Sequence, residues 1–280
     1  EKGYLERKLA VAEDKILSCC EKLGVTSNIL FTGVFGILMS RYSNADDSLF
    51  STIYNGRNDS RLENTVCMLV KTLPVYCRFE QKTTIQAYMT ELSEQLLSSM
   101  ANDIFPFSDI CAKYGFNSDL TFAYQAELSD DYPIGDTVAR GHDLSLDMAK
   151  MPLLIQVREY NNEYVLTAEF RSDMYSDAFV DGMLDAYEAA MDSVLKNKYV
   201  SEVSIISENA VKKIAEFNDT ACEYDRTKTI SDRFAEMVQT IAEHTAVVFK
   251  DKKFTYKELD EISDRLGKYI ASLGIGREDV

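Results

Sequence analysis

Apolar residues recur at helical spacing through the first hundred positions. Asp14 to Leu23 predicts one helix, closed by Gly24. Thr26 or Ser27 then caps a second helix that runs to about Tyr42, with Ile29, Leu30, Val34, Phe35 and Leu38 on its buried side. The period shortens in "SLFSTIYNGR", which predicts a strand, and again in "VCMLVKTLPVYCRF" after a charge-rich loop. In that second strand Met68, Val70 and Thr72 are expected on one face and Leu69, Lys71 and Leu73 on the other, until Pro74 interrupts the ladder. A helix follows from about Thr84 to Met100, with Ile85, Met89, Leu92, Leu96 and Met100 in line, and "NDIFPF" predicts a turn.

The middle third alternates. "DLTFAYQ", "HDLSLDMA", "PLLIQVREY" and "EYVLTAEF" predict strands, the last two joined at Asn161-Asn162, since Asn tolerates the positive φ of a tight hairpin. Ser176 caps a helix to about Leu195 that carries Phe179, Met183, Leu184, Tyr187, Met191 and Val194. This order predicts a mixed sheet with helices packed against it, of class α/β or, as a two-layer sandwich, α+β.

Beyond a short helix after Ser207 the chain loses periodicity in "EFNDTACEYDRTKT", which predicts a linker. Ile230 to His244 then predicts a helix, Ala246 to Phe249 a strand, Asp251-Lys252 a turn and Phe254 to Tyr256 a second strand. A last helix runs from Lys257 to Leu273, with Leu259, Ile262, Leu266, Ile270 and Leu273 in line and Gly274 just past its end. A unit this small is not expected to bury its own core. The chain opens at Glu1 with a charged amphipathic stretch and closes on Arg277-Glu278-Asp279-Val280, and is expected to be a piece of a longer polypeptide.

Charge and composition narrow the chemistry. A net charge of −16 argues against nucleic acid or an anionic membrane as partner, because both need a basic face. The six cysteines (Cys19, Cys20, Cys67, Cys77, Cys111 and Cys222) show no C-x-x-C pairing, and buried free thiols in a reducing cytoplasm are expected. Of the two histidines, His142 precedes a strand-like run and His244 closes a helix-like one, so both read as boundary residues. No glycine-rich phosphate loop, Ser-His-Asp set or metal-ligand constellation is evident in the sequence.

"FTYKEL" (Phe254 to Leu259) resembles the first core motif of the adenylation domains of nonribosomal peptide synthetases, Leu-Thr/Ser-Tyr-x-Glu-Leu, with only the leading Leu changed. "FNDTACEYDRTKTISDRF" resembles the segment that enters such a domain. In that family the preceding domain is often a condensation domain, and the front of the chain resembles its C-terminal lobe. "GVTSNILFTGVFGILMSRYSNADD" is similar to the lobe's early helix pair, and "YNGR" (Tyr54 to Arg57) to its Gly-Arg. "VCMLVKTLPVYCRF" is similar to Val/Ile-Gly-x-Phe-Val-Asn-Thr-Leu, and "NDIFPF" to His/Asn-Gln-Asp-Tyr/Val-Pro-Phe. Cys67, Leu69 and Lys71 depart from Gly, Phe and Asn of the first pattern. Asp103 and Ile104 depart from Gln and Asp of the second, and Ser108 from a final Glu.

The resemblance implies half of a chloramphenicol-acetyltransferase-like (CoA-dependent acyltransferase) fold over residues 1–205, a linker over 206–228 and a truncated adenylation start over 229–280. It implies peptide-bond formation between carrier-bound thioesters, with the N-terminal condensation lobe, the rest of the adenylation domain and carrier proteins as partners. Phosphopantetheine would arrive on those carriers. ATP and Mg would belong to the remainder of the adenylation domain, and no cofactor to this chain. The family's His-His-x-x-x-Asp-Gly motif is absent, since no two histidines are adjacent. Lys71 and Thr72 are candidates to face the substrate tunnel, although a solvated strand position is the competing reading of Lys71. Gly56, Arg57, Asn102, Pro106 and Phe107 fall on motif positions and read as turn and packing residues; Thr255, Tyr256, Glu258 and Leu259 do likewise in the last unit. Asp143 beside His142 looks like a dyad, but neighbouring strand residues point to opposite faces. The rival readings are a non-catalytic docking module and a stand-alone CoA-dependent acyltransferase.

Overall fold

A computed structural model of the 280-residue chain describes all residues except 58, 63, 81, 118, 127–130, 141–146, 161–162 and 277–280. It divides into two compact units, Glu1–Asn218 and Asp219–Val280.

The first unit is built on a six-stranded mixed sheet of order β1-β8-β7-β4-β2-β3. The strands are β1 (Lys2–Lys8), β2 (Asp47–Tyr54), β3 (Lys71–Arg78), β4 (Leu120–Gln125), β7 (Leu153–Tyr160) and β8 (Glu163–Arg171). β2, β4 and β7 run parallel; β1, β8 and β3 run against their neighbours. The layer on one face consists of α1 (Glu13–Leu23), α2 (Ser27–Ser43), α3 (Ile85–Ala101) and α5 (Asp177–Lys196). Thr26 and Ser176 cap α2 and α5 as the sequence suggests, and Thr84, expected as the start of α3, caps it, each side-chain oxygen accepting a backbone N–H of the first turn. The expected mixed sheet with packed helices is the observed architecture.

α2 differs from the one-faced helix expected of it. Every residue from Ile29 to Ser40 is buried. A helix that is apolar all round belongs inside a layer, and α2 packs on β2, β3 and β4 with α3, α5 and α1 also against it. Phe35 stacks on Phe122 of β4 at 5.0 Å and meets Phe50 of β2 edge-on at 4.9 Å. No single helix among the described residues is long and apolar enough to cross a membrane.

Three further expectations need correction. Residues 66–70 are not strand, so Met68 and Val70 do not share a strand face with Thr72. Val66 is fully exposed and Met68 86% exposed. The strand starts at Lys71 and runs straight through Pro74, which pairs with Ser51. An edge strand has an open side on which a missing N–H costs nothing. Past the turn at Asn102, Pro106 caps α4 (Phe107–Tyr114), a helix hidden behind the proline. Thirdly, the thiols are not uniformly buried: Cys20 and Cys77 are, Cys19 and Cys111 are half-buried, and Cys67 and Cys222 are exposed.

The charged opening stretch is itself the strand β1. Arg7 ties it to α5, with ion pairs to Asp181 and, at 2.5 Å, to Asp185. β7 and β8 pair as the expected hairpin down to Tyr160↔Glu163, and Asn161-Asn162 lie outside the described residues. So does most of "HDLSLDMA". A separate hairpin, β5 (Asp131–Ile134) with β6 (Thr137–Arg140), forms in the stretch between β4 and β7. α6 (Glu208–Asn218) ends the unit.

The second unit comprises α7 (Ile230–Ile241), the antiparallel pair β9 (Thr245–Phe249) and β10 (Lys252–Thr255), and α8 (Tyr256–Ser272). Phe234, Val238, Ile241, Phe254, Tyr256 and Leu259 are half-buried, and none of the unit's described residues is fully buried.

Candidate functional site

The parallel strands β2, β4 and β7 all end at one edge of the sheet. β4 and β7 stay paired to Gln125↔Arg158, the last residue of β4. β2 and β4 do not: their register holds only Ser51↔Thr121 and Thr52↔Phe122. Ile53 and Tyr54 of β2 therefore continue without β4 pairing, and so do Ala123, Tyr124 and Gln125 of β4. Past that register the β2–β4 ladder is open at the carboxyl ends of the parallel strands, the place where open α/β sheets receive ligands.

β3 flanks β2 on the side away from β4. Lys71 stands opposite Tyr54, and Thr72 opposite Ile53. Side chains alternate along β3, with Leu73, Val75 and Cys77 buried, so Lys71 shares the face of Leu73. Thr72 shares the opposite face with Ile53. The structure thus brings the two tunnel candidates to one strand end but on opposite faces. The Lys71 ammonium lies 2.9 Å from Asp103 Oδ1 and donates to the Asp103 carbonyl at 3.0 Å. The Tyr54 hydroxyl oxygen is shut off from solvent with no hydrogen-bond partner among the described residues.

The motif positions around the opening shape backbone. Gly56 has φ 68°, and a Cβ there would sit 2.0 Å from the Leu69 carbonyl oxygen, so both conformation and contact demand glycine. Arg57 donates to the carbonyls of Leu62 at 2.5 Å and Cys67 at 3.3 Å, gathering the loop between β2 and β3. Asn102 closes α3, its amide nitrogen donating to the Ser98 carbonyl at 2.8 Å. Pro106 offers its carbonyl to the N–H groups of Asp109 and Ile110 at the start of α4. Phe107 meets Phe116 at 6.2 Å. Asp143 and His142 lie outside the described residues.

At the end of β4, the Tyr124 hydroxyl donates to Glu159 at 2.8 Å, and its ring stacks on Phe31 at 5.7 Å. Burial, reinforced by the Glu159 carboxylate, pushes the Tyr124 phenol well above its ordinary range. Tyr124 was not singled out in the sequence, where it reads as one more residue of an alternating strand. In the second unit, Thr255 and Glu258 form a reciprocal cap at the start of α8. The Glu258 N–H donates to Thr255 Oγ1 at 3.2 Å and the Thr255 N–H to Glu258 Oε2 at 2.9 Å. The Thr255 N–H, joined by the Thr255 hydroxyl at 3.1 Å, holds the Glu258 carboxyl below its usual range. The Tyr256 N–H donates to the His244 carbonyl, its ring lies 6.0 Å from Phe234, and Leu259 is half-buried. Among the described residues no group of three His, Cys, Asp or Glu side chains could hold a metal ion.

The family profile "Condensation domain" matches residues 5–215. Gramicidin S synthase 2 of Brevibacillus brevis is 25% identical over 278 residues, which cover 95% of this chain and 6% of that protein. The chain therefore spans only a small part of that relative. Among solved structures, holo-AB3403, a four-domain nonribosomal peptide synthetase bound to AMP and glycine, superposes with a TM-score of 0.75 at 14% identity. It covers all of this chain and 23% of its own. The first condensation domain of the CDA synthetase superposes with a TM-score of 0.59 at 14% identity, over 72% of this chain and 47% of that one.

Proposed function

The chain belongs to the condensation-domain family, and on that premise we propose that residues 1–205 are the C-terminal lobe of a nonribosomal peptide synthetase condensation domain, 206–228 a linker, and 229–280 the start of an adenylation domain. One observation carries the reading. The chain spans 47% of a solved condensation domain, half of such a domain, while all of it aligns along a four-domain synthetase. The family match ends at residue 215, three positions before the first unit ends. The exposed apolar side of α8 adds support. Ile262, Leu266, Tyr269, Ile270 and Leu273 are 38% to 63% exposed, a face suited to the remainder of an adenylation domain. The β5–β6 hairpin, with Ile134 63% and Val138 57% exposed, suits a segment that crosses to a second lobe.

In the complete domain an amine on one carrier protein attacks the thioester carbonyl on another. The C–N bond forms, the C–S bond breaks, and the proton shed by the amine ends on the released thiol. Holding the two reactants in line supplies much of such a rate enhancement. This lobe contributes the wall formed by the ends of β2, β3 and β4, and the partner lobe contributes the paired-histidine motif. The chain alone is therefore inactive. Both phosphopantetheine arms come from carrier proteins, and ATP and Mg act in the remainder of the adenylation domain.

The test is to incubate the chain with loaded donor and acceptor carriers, and beside it a longer polypeptide that includes a preceding lobe. Dipeptidyl thioester should form only with the longer polypeptide. Product from the 280-residue chain alone, or amino-acid-dependent pyrophosphate exchange by it, would refute the proposal.

A further inference from the structure

Lys71 is the first residue of an edge strand, and its ammonium makes both of its described contacts to one residue. It reaches Asp103 through the carboxylate at 2.9 Å and through the main-chain carbonyl at 3.0 Å. Asp103 sits one residue past the cap of α3, in the five-residue connection that ends at Pro106, the cap of α4. Its side chain is only 20% exposed. A one-point contact between exposed charges constrains little. A two-point contact to the side chain and backbone of one residue fixes where the connection lies and which way its carbonyl turns. The same two positions are where the sequence departs from Asn and Gln of the resembled motifs, and the introduced charges are opposite and in contact.

We propose that Lys71 is a positioning residue rather than a group offered to substrate. By holding Asp103 it fixes the α3–α4 connection, with its exposed Ile104 and Phe105, at the paired end of β2 and β3. The functional part of this inference rests on the condensation reading above. Engaged by Asp103 through both carboxylate and carbonyl, the ammonium is already occupied. Removing Asp103 leaves the carbonyl contact, whereas removing Lys71 severs both, so the two losses are ordered and not independent.

Hydrogen exchange on the 280-residue chain tests the tie. The reporters are the amides of Asn102, Asp109 and Ile110, which are hydrogen-bonded at the two ends of the connection. Lys71→Ala should speed their exchange by about fivefold, as expected for one part-buried ion pair. Asp103→Ala should do so by less, the double variant should match Lys71→Ala, and Lys71→Arg should stay near wild type. Unchanged exchange in Lys71→Ala, or a double variant faster than Lys71→Ala, overturns the tie. In the longer two-lobe polypeptide, condensation should fall in the same order, with the pH profile unmoved and activity rescued by Lys71→Arg. Loss in Lys71→Ala with none in Asp103→Ala, or a displaced pH profile, would place Lys71 against substrate and overturn the positioning role. If wild type forms no peptide bond, the condensation reading fails and the exchange result still decides the tie.

Discussion

Ser51 Oγ lies 2.8 Å from Thr121 Oγ1, with both side chains shut off from solvent at the closed end of the opening between β2 and β4. Ser51 also reaches the Leu120 carbonyl at 3.2 Å. Ser51→Ala leaves the Thr121 hydroxyl without this partner, and a buried hydroxyl left unpaired costs about 1–3 kcal/mol. Thr121→Val should cost less, because Ser51 keeps its bond to the Leu120 carbonyl. Replacing both should cost clearly less than the two single losses added, because no unpaired group remains. Urea unfolding of the four proteins measures this, and strict additivity would show that the hydroxyls do not depend on each other.

The packing of α2 against α3 depends on two glycines. A Cβ on Gly36 would meet the Tyr88 hydroxyl at 2.6 Å and Cys77 Sγ at 2.7 Å, and one on Gly33 would meet Met89 Sδ at 2.3 Å. Tyr88 is fixed there by donating to the Gly33 carbonyl at 3.0 Å. Helix propensity favours alanine over glycine by about 1 kcal/mol. Overpacking a tight core costs about 1–3 kcal/mol and the displaced Tyr88 hydroxyl more, so packing wins. Gly36→Ala should lower stability despite its better propensity. A thermal midpoint at or above wild type would contradict this.

Cys77 makes the fold sensitive to alkali. Burial pushes its thiol up from an ordinary value of 9.0 to about 11, so the folded chain holds the proton after the unfolded chain has lost it. That contribution is complete below pH 9 and is lost as pH rises from 9 towards 11, by at most about 1.4 kcal/mol per unit. Unfolding free energies measured from pH 8 to 11 should decline, and Cys77→Ala should flatten part of the decline. At pH 8 a thiol reagent should modify the exposed Cys67 and Cys222 quickly and Cys77 only as the protein unfolds. An identical alkaline slope in Cys77→Ala would remove Cys77 as a cause.

Much of this fold was legible because its signals are local. The caps at Thr26 and Ser176 and the stop at Gly24 announce themselves in a few residues. What was not legible depends on neighbours. β1 reads as a charged amphipathic stretch and becomes a strand only because β8 offers its edge. Residues 66–70 have the alternation of a strand but no neighbour to pair with, and α4 is hidden by a proline that starts a helix rather than ending one. The site divides in the same way. The glycine at 56 can be found from its motif, whereas the parting of β2 from β4 is a property of register that no single segment carries. Lys71 was visible as a candidate, but its commitment to Asp103 spans 32 positions of chain.

Tyr54 provides the sharpest separation of stability from function. Its hydroxyl oxygen is closed to solvent and has no hydrogen-bond partner among the described residues, at the last position of β2 beside the opening. Burying a hydroxyl without a partner is unfavourable, so taking the oxygen away removes a cost and keeps the ring's packing. Tyr54→Phe should therefore leave the chain as stable as wild type or more stable, by up to about 1 kcal/mol. A hydroxyl closed to solvent is out of reach of a substrate, so the same change in a two-lobe polypeptide should leave condensation near wild type. A clear stability loss in the 280-residue chain would mean that the hydroxyl already has a partner within the fold. A several-fold loss of condensation beside unchanged stability would mean that the hydroxyl is reached in the two-lobe protein.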